Sequence, residues 1–183
     1  MSTFTYLKSF IKDKDVASVT PTSRFCIRRV CSFIDFSEKI TVVEFGAGAG
    51  VFSEYLLKRM TLDSRLILFE TNEILFDKLK EIDDPRIELH NKSVEWVEQT
   101  IGEGLAGKVD YIISGIPFSF FNTSSKMNIL HQSREVLREG GKFLAYQTSG
   151  HLKKPLLEVF GNVHTEFELL NIPPMTVYES VKR

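Results

Sequence analysis

The run ITVVEFGAGAGVF, residues 40 to 52, constrains this chain more than any other stretch. An apolar, β-branched segment (40–45) gives way to three glycines within five residues, Gly46, Gly48 and Gly50. Apolar residues then recur at helical spacing over 51–60. A strand that turns through glycines into a helix lets the backbone crowd a ligand and take positive φ. The same alternation continues downstream. Strands are expected at 65–70, 86–91, 109–116 and 142–149. Helices are expected at 72–82, around 94–102 and at 124–138, the last closed by Glu139-Gly140-Gly141. Apolar strands alternating with helices predict an α/β fold with a parallel sheet covered on both faces. The segments 163–172 and 175–182 read as strands joined only by Pro173-Pro174. That link is too short for a crossover helix, so this pair is expected to be antiparallel.

The glycine loop lies at the carboxyl end of its strand, where open α/β sheets bind ligands. A triphosphate loop needs a Gly-Lys-Ser/Thr ending, which is absent. A dinucleotide loop starting at Gly46 would place its third glycine at Val51, whereas the spacing here is G-x-G-x-G. Glu44, two residues before the first glycine, disfavours a pyrophosphate and suits a cationic ligand. Glu70 follows Gly50 by 20 residues at the end of the second strand. It is placed to accept hydrogen bonds from both hydroxyls of a ribose, with no basic partner for a 2′-phosphate.

E-x-G-x-G-x-G followed by an acidic residue after the second strand resembles the class I S-adenosylmethionine-dependent methyltransferases. The order of elements over residues 40–183 is also similar to theirs. The resemblance implies a Rossmann-like, seven-stranded, mostly parallel sheet whose last strand inserts between the fifth and sixth as a carboxyl-terminal antiparallel hairpin. It implies S-adenosylmethionine as cofactor, with Gly46, Gly48 and Gly50 against its methionine part and ribose. It places Phe45 just before that loop and Ala47 within it at the cofactor, with Glu70 and Thr71 at the ribose. Family members often carry Asp after the third strand to meet the adenine amine; Ser93, with Val94 beside it, stands there.

The methyl acceptor is expected at the end of the fourth strand, in Ser114-Gly115-Ile116-Pro117-Phe118. This stretch resembles motif IV of amino-methyltransferases. Enzymes acting on adenine N6 carry Asn or Asp two residues before the proline, and here that position is Gly115. Ser114-Gly115-Ile116-Pro117, EFGAGAGVF, residues 16–24 and Asn171-Ile172-Pro173-Pro174 together resemble the bacterial phospholipid N-methyltransferases. That resemblance spans roughly residues 8–183 and implies methylation of phosphatidylethanolamine-type amines at a membrane surface. Ser114, Gly115, Pro117, Phe118 and Tyr146 are the expected catalytic set. Aromatic rings at 118, 120 and 121 suit a methylated ammonium by cation–π contact, or fill the core. Tyr146 and His151 flank the fifth strand's end as candidate bases, and His131 falls inside a helix. An rRNA adenine dimethyltransferase, a small-molecule methyltransferase and a non-catalytic cofactor-binding module are the alternatives.

Charge adds one constraint. Residues 1–29 hold six Lys/Arg against two Asp, a charge of +4, while the remainder carries −5. Phe4, Leu7, Phe10 and Ile11 share a helical face beside Lys8, Lys12 and Lys14. This pattern suits an interfacial helix on anionic lipid, and it argues against nucleic acid as the partner of the acidic body. The expected division is an amino-terminal helical segment, 1–39, followed by the methyltransferase domain, 40–183. No signal-peptide pattern or bilayer-length apolar run occurs, so a cytoplasmic protein, peripheral on the membrane, is expected. Cys26 and Cys31 are expected to be reduced thiols on different helix faces, with no metal site.

Overall fold

The computed structural model describes residues 22–183, so the expected interfacial helix near the amino terminus lies outside the described residues. Seven strands form one sheet: β1 (Thr41–Phe45), β2 (Arg65–Phe69), β3 (Ile87–His90), β4 (Val109–Ser114), β5 (Leu137–Gln147), β6 (His164–Glu168) and β7 (Met175–Val181). Their order is β3-β2-β1-β4-β5-β7-β6. The first five pair in parallel, and β7 runs antiparallel between β5 and β6. This is the expected seven-stranded arrangement with its inserted last strand.

Alternate residues of each strand feed two cores, as the two-residue side-chain period requires. On one face Val43, Phe45, Ile67, Ile112 and Phe143 pack under α4 (Val97–Ile101), α5 (Thr123–Val136) and α6 (Lys153–Phe160). On the other, Val42, Leu66, Leu68, Ile113 and Leu144 pack under α1 (Arg24–Cys31), α2 (Val51–Leu57) and α3 (Glu73–Leu79). Side-chain caps set three helix starts by satisfying amides that have no partner within the helix. Ser23 Oγ accepts from Cys26 N (3.2 Å), Asn72 Oδ1 from Leu75 N (3.0 Å) and Asn122 Oδ1 from Ser125 N (2.8 Å).

Several expectations change. Glu139-Gly140-Gly141 does not close a helix: α5 ends at Val136 and β5 already begins at Leu137. The glycines lie in a bulge, where β4 advances from Val109 to Tyr111 while β5 advances from Leu137 to Lys142. Extra residues on one strand are accommodated there by Gly140 at φ 76°. Helix α6, between β5 and β6, is not among the expected helices. Strand β6 ends at Glu168, so six residues, 169–174, connect it to β7 rather than two prolines. The two cysteines do share the sheet-facing side of α1. Both are buried, and burial pushes both thiols up to about 12.

Phe143 ties the first core together. Its ring meets Phe45, Phe118 and Phe160 at 6.4, 6.3 and 5.9 Å between centroids, and it is fully buried. Phe143→Ala should therefore cost about 3–5 kcal/mol through lost burial and the cavity left behind. The measurement is the urea midpoint at unchanged m-value, and a loss below about 1 kcal/mol would contradict the packing described.

Candidate functional site

The site assembles where the carboxyl ends of β1, β2 and β4 converge. Gly46 N and Ala47 N both donate to Phe69 O, at 2.8 and 3.1 Å, folding the glycine loop back over the end of β2. Glu70 then holds the loop from below. Its Oε2 accepts from Gly48 N at 2.9 Å and its Oε1 from Asn72 N at 2.8 Å. A carboxylate has about four acceptor positions, so two used here leave room for ribose hydroxyls. Thr71 is half-buried immediately after it. Asn91 Nδ2 donates to Glu70 O at 2.9 Å, locking β3's end to the same corner.

The three glycines have different reasons to be glycine. All have positive φ, at 75°, 58° and 83°. A methyl added at Gly46 would sit 2.9 Å from Ile116 Cγ2, and one at Gly50 would sit 2.7 Å from Ile82 Cδ1. These two positions are set by packing inside the protein. At Gly48 an added methyl would meet nothing within 4 Å. The backbone at Gly48 therefore borders open space, the cradle a ligand needs. Together with Glu70's free acceptor positions, this fits the ribose and methionine part of S-adenosylmethionine.

Beneath the loop, Glu44 is 2% exposed and its Oε2 accepts from Ser53 Oγ at 2.7 Å. Burial pushes its carboxyl up to about 8; the Ser53 hydrogen bond opposes this and the nearby Glu70 charge adds to it. Phe45 is fully buried in the opposite core. Ser93 caps a short turn, Val94–Trp96, by accepting from Glu95 N at 3.3 Å. Val94 is buried in the core beside it.

On the acceptor side, Gly115 N donates to Phe45 O at 3.1 Å, and the Gly46–Ile116 contact brings the glycine loop against the β4 segment. A methyl added at Gly115 would lie 2.5 Å from the Tyr146 hydroxyl oxygen. Tyr146 stacks on Phe52 at 5.6 Å and 13°, so its hydroxyl is fixed in the space a side chain at 115 would take. Burial raises the Tyr146 phenol far above its ordinary value, and the Glu44 charge adds to this, while a hydrogen bond with Thr22 opposes it. Tyr146 is thus a neutral hydrogen-bonding group, not a proton-abstracting base.

The other expected members differ in burial. Phe118 is fully buried among Phe121 and Phe143, so it is core and does not face a ligand. Ser114 is likewise fully buried, and its Oγ has no hydrogen-bond partner among the described residues. Pro117 is half-buried beside Gly115. His131 and His151 are exposed. No local stretch of sequence shows the Gly115–Tyr146 contact, because only the parallel pairing of β4 with β5 brings 115 and 146 together. The sequence signal for it was a glycine where a polar side chain is usual.

Residues 23–169 match the methyltransferase small domain family. A curated relative, the ornithine lipid N-methyltransferase of Singulisphaera acidiphila, is 24% identical over 179 residues, covering 96% of this chain and 93% of that protein. The Burkholderia thailandensis 1,6-didemethyltoxoflavin-N1-methyltransferase, solved with 1,6-didemethyltoxoflavin and S-adenosylhomocysteine, superimposes with a TM-score of 0.73 at 13% identity. The match covers 99% of this chain and 87% of that one. The magnesium protoporphyrin IX methyltransferase of Synechocystis PCC 6803, solved with S-adenosylmethionine, gives a TM-score of 0.73 at 10% identity over 100% and 98%. At these identities the two structures share this chain's fold.

Three outcomes follow from the geometry. Gly50→Ala should lose about 1–3 kcal/mol of stability from strain and crowding. Gly48→Ala should lose about 1 kcal/mol from positive φ alone, yet weaken cofactor binding in calorimetry by tenfold or more. Equal affinity of the Gly48 variant and wild type would remove that residue from the site. For Glu44, the folded protein holds a proton that the unfolded chain releases near its ordinary 4.5. Its stabilising contribution is complete below that pH and is lost as pH rises toward 8. Wild type should thus lose a few kcal/mol between pH 5 and 8 that Glu44→Gln does not lose. Parallel unfolding curves for the two proteins across that range would contradict the buried, protonated carboxyl.

Proposed function

The chain belongs to the methyltransferase small domain family, and from that premise we propose that it N-methylates a lipid amine with S-adenosylmethionine as methyl donor. The acceptor is a membrane lipid with a primary amine, of the phosphatidylethanolamine type. S-adenosylmethionine, when bound, supplies an electrophilic methyl on a sulfonium and leaves as S-adenosylhomocysteine.

The protein's part is binding, alignment and exclusion of water. Glu70 orients the ribose and in the same act holds the Gly48 amide. Gly46 and Ile116 fix the distance between the cofactor loop and the acceptor segment. The amine must arrive unprotonated or lose its proton before attack. Tyr146 can accept a hydrogen bond from its N–H but cannot take the proton, which leaves through water.

One observation carries the choice of acceptor: the Tyr146 hydroxyl fills the space over Gly115. An adenine-directed enzyme needs a side-chain oxygen at 115 to hold the exocyclic amine, and Asn there would collide with Tyr146. A compact amine on a flexible headgroup needs no such planar recognition. The end-to-end likeness to a protein named for ornithine lipid supports the same class. The cation-rich amino-terminal segment supports an anionic surface as partner.

The test is methyl transfer from labelled S-adenosylmethionine offered separately to vesicles with phosphatidylethanolamine, vesicles with ornithine lipid, and unmodified ribosomal RNA. Label in the lipid phase is expected, with Glu70→Ala weakening cofactor affinity about tenfold or more through lost charge-assisted hydrogen bonds. Label in RNA alone would overturn the lipid reading. Cofactor binding with no label anywhere would favour a binding module or a small-molecule acceptor.

A further inference from the structure

We propose that the β6–β7 connection, residues 169–174, is the element with which this protein inserts into an anionic lipid surface. The inference rests on the lipid-amine reading and gives it a physical docking site.

A connection of this length normally turns polar side chains to water. This one does the reverse. Leu169, Leu170 and Ile172 are 73%, 62% and 78% exposed, and Phe167 beside them is 66% exposed. The polar groups turn inward. Asn171 is 1% exposed; its Oδ1 accepts from Ser23 N at 2.9 Å and its Nδ2 donates to Pro173 O at 2.8 Å. Glu168 Oε1 accepts from Leu170 N at 2.9 Å. The turn is therefore held by local hydrogen bonds and one from Ser23, with its apolar side chains outward. Four large apolar groups presented together exceed the scattered exposure usual for a surface.

The position agrees. Strand β7 pairs Thr176 with Gln147 of β5 and Met175 with Glu168 of β6. The turn therefore projects from the same sheet edge as the glycine loop and Gly115. An acceptor lifted slightly from a bilayer would meet the site directly.

Charge complementarity selects the occupant. The acids nearest the turn, Glu166 and Glu168, are both paired with Arg29, at 3.1 and 3.4 Å. Arg24, next to the Ser23 anchored by Asn171, is exposed, as are Lys153 and Lys154 at the start of α6 on this edge. Apolar side chains with exposed cations on the same edge fit a bilayer interface with anionic headgroups. A second copy of this chain, carrying the same cations, is the poorer partner.

The experiment is sedimentation of the full chain with phosphatidylglycerol–phosphatidylcholine vesicles, alongside methyl transfer to a short-chain, monomeric phosphatidylethanolamine. Leu169→Asp/Leu170→Asp should lower vesicle partitioning about tenfold or more while leaving thermal unfolding and transfer to the short-chain lipid unchanged. Lys153→Glu/Lys154→Glu should weaken partitioning several-fold and flatten its salt dependence. Equal partitioning of the leucine variant and wild type would overturn the proposal. So would a wild-type dimer that the leucine substitutions dissociate while vesicle binding stays absent. Transfer to the short-chain lipid by a wild-type protein that does not sediment would sink the docking site and leave the lipid-amine reading intact. Tip-dependent sedimentation with no transfer to any lipid amine would support the docking site and sink that reading.

Discussion

Glu70 is the residue on which the arrangement of the site depends. A single carboxylate, 8% exposed, receives amides from the glycine loop and from the start of α3. Those two elements belong to different strand–helix units, so Glu70 is where the units are set relative to each other. Its hydrogen bonds are charge-assisted and sheltered, the stronger kind. They hold Gly48 in a left-handed conformation with open space before it. Without this tie the loop would keep Gly46 and Gly50 in place by packing, but the Gly48 backbone between them, which borders open space, would lose its support.

The second constraint is a trade of volume between neighbouring strands. β4 and β5 are parallel partners, and Ser114 lies opposite Ala145 in register. The next residues along are Gly115 and Tyr146, and one has no side chain because the other's hydroxyl takes the space. The space beside Gly115 is thus filled from the neighbouring strand, by a hydroxyl on a ring stacked against Phe52. Stacking on Phe52 holds that hydroxyl in one position. The cost is that burial beside Glu44 keeps the phenol neutral, which removes it from proton abstraction.

Much of this was legible in the order of residues. Strand and helix alternation and the antiparallel final pair follow from apolar periodicity and the short proline link, and the insertion of the last strand between β5 and β6 is what the family resemblance implies. What escaped had non-local causes. Glu139-Gly140-Gly141 has the signature of a helix stop, yet a bulge against Val109 and Tyr111 absorbs it into β5. Phe118 sits in a motif whose aromatic ring is expected at the ligand, but Phe143 and Phe121 surround it. The two cysteines, five apart, were expected on different faces; the sheet-facing side of α1 is wide enough to bury both. Burial depends on what the other strands bring, and no local window contains that.

The inserted strand has a further consequence. In an all-parallel sheet, every connection leaving the carboxyl edge must return as a crossover to the amino edge before another strand begins. Placing β7 antiparallel between β5 and β6 removes that requirement at one point only. Strand β6 reaches the carboxyl edge and turns back there at once, so a short, self-bonded turn stands where a crossover would otherwise depart. That turn lies on the ligand-binding edge without being needed for the core, since Glu168 and Asn171 already anchor its base. Its outward positions are released from packing and free to be apolar. The same topology that closes the sheet therefore makes room for a hydrophobic contact beside the site, and the leucines at 169 and 170 occupy that room.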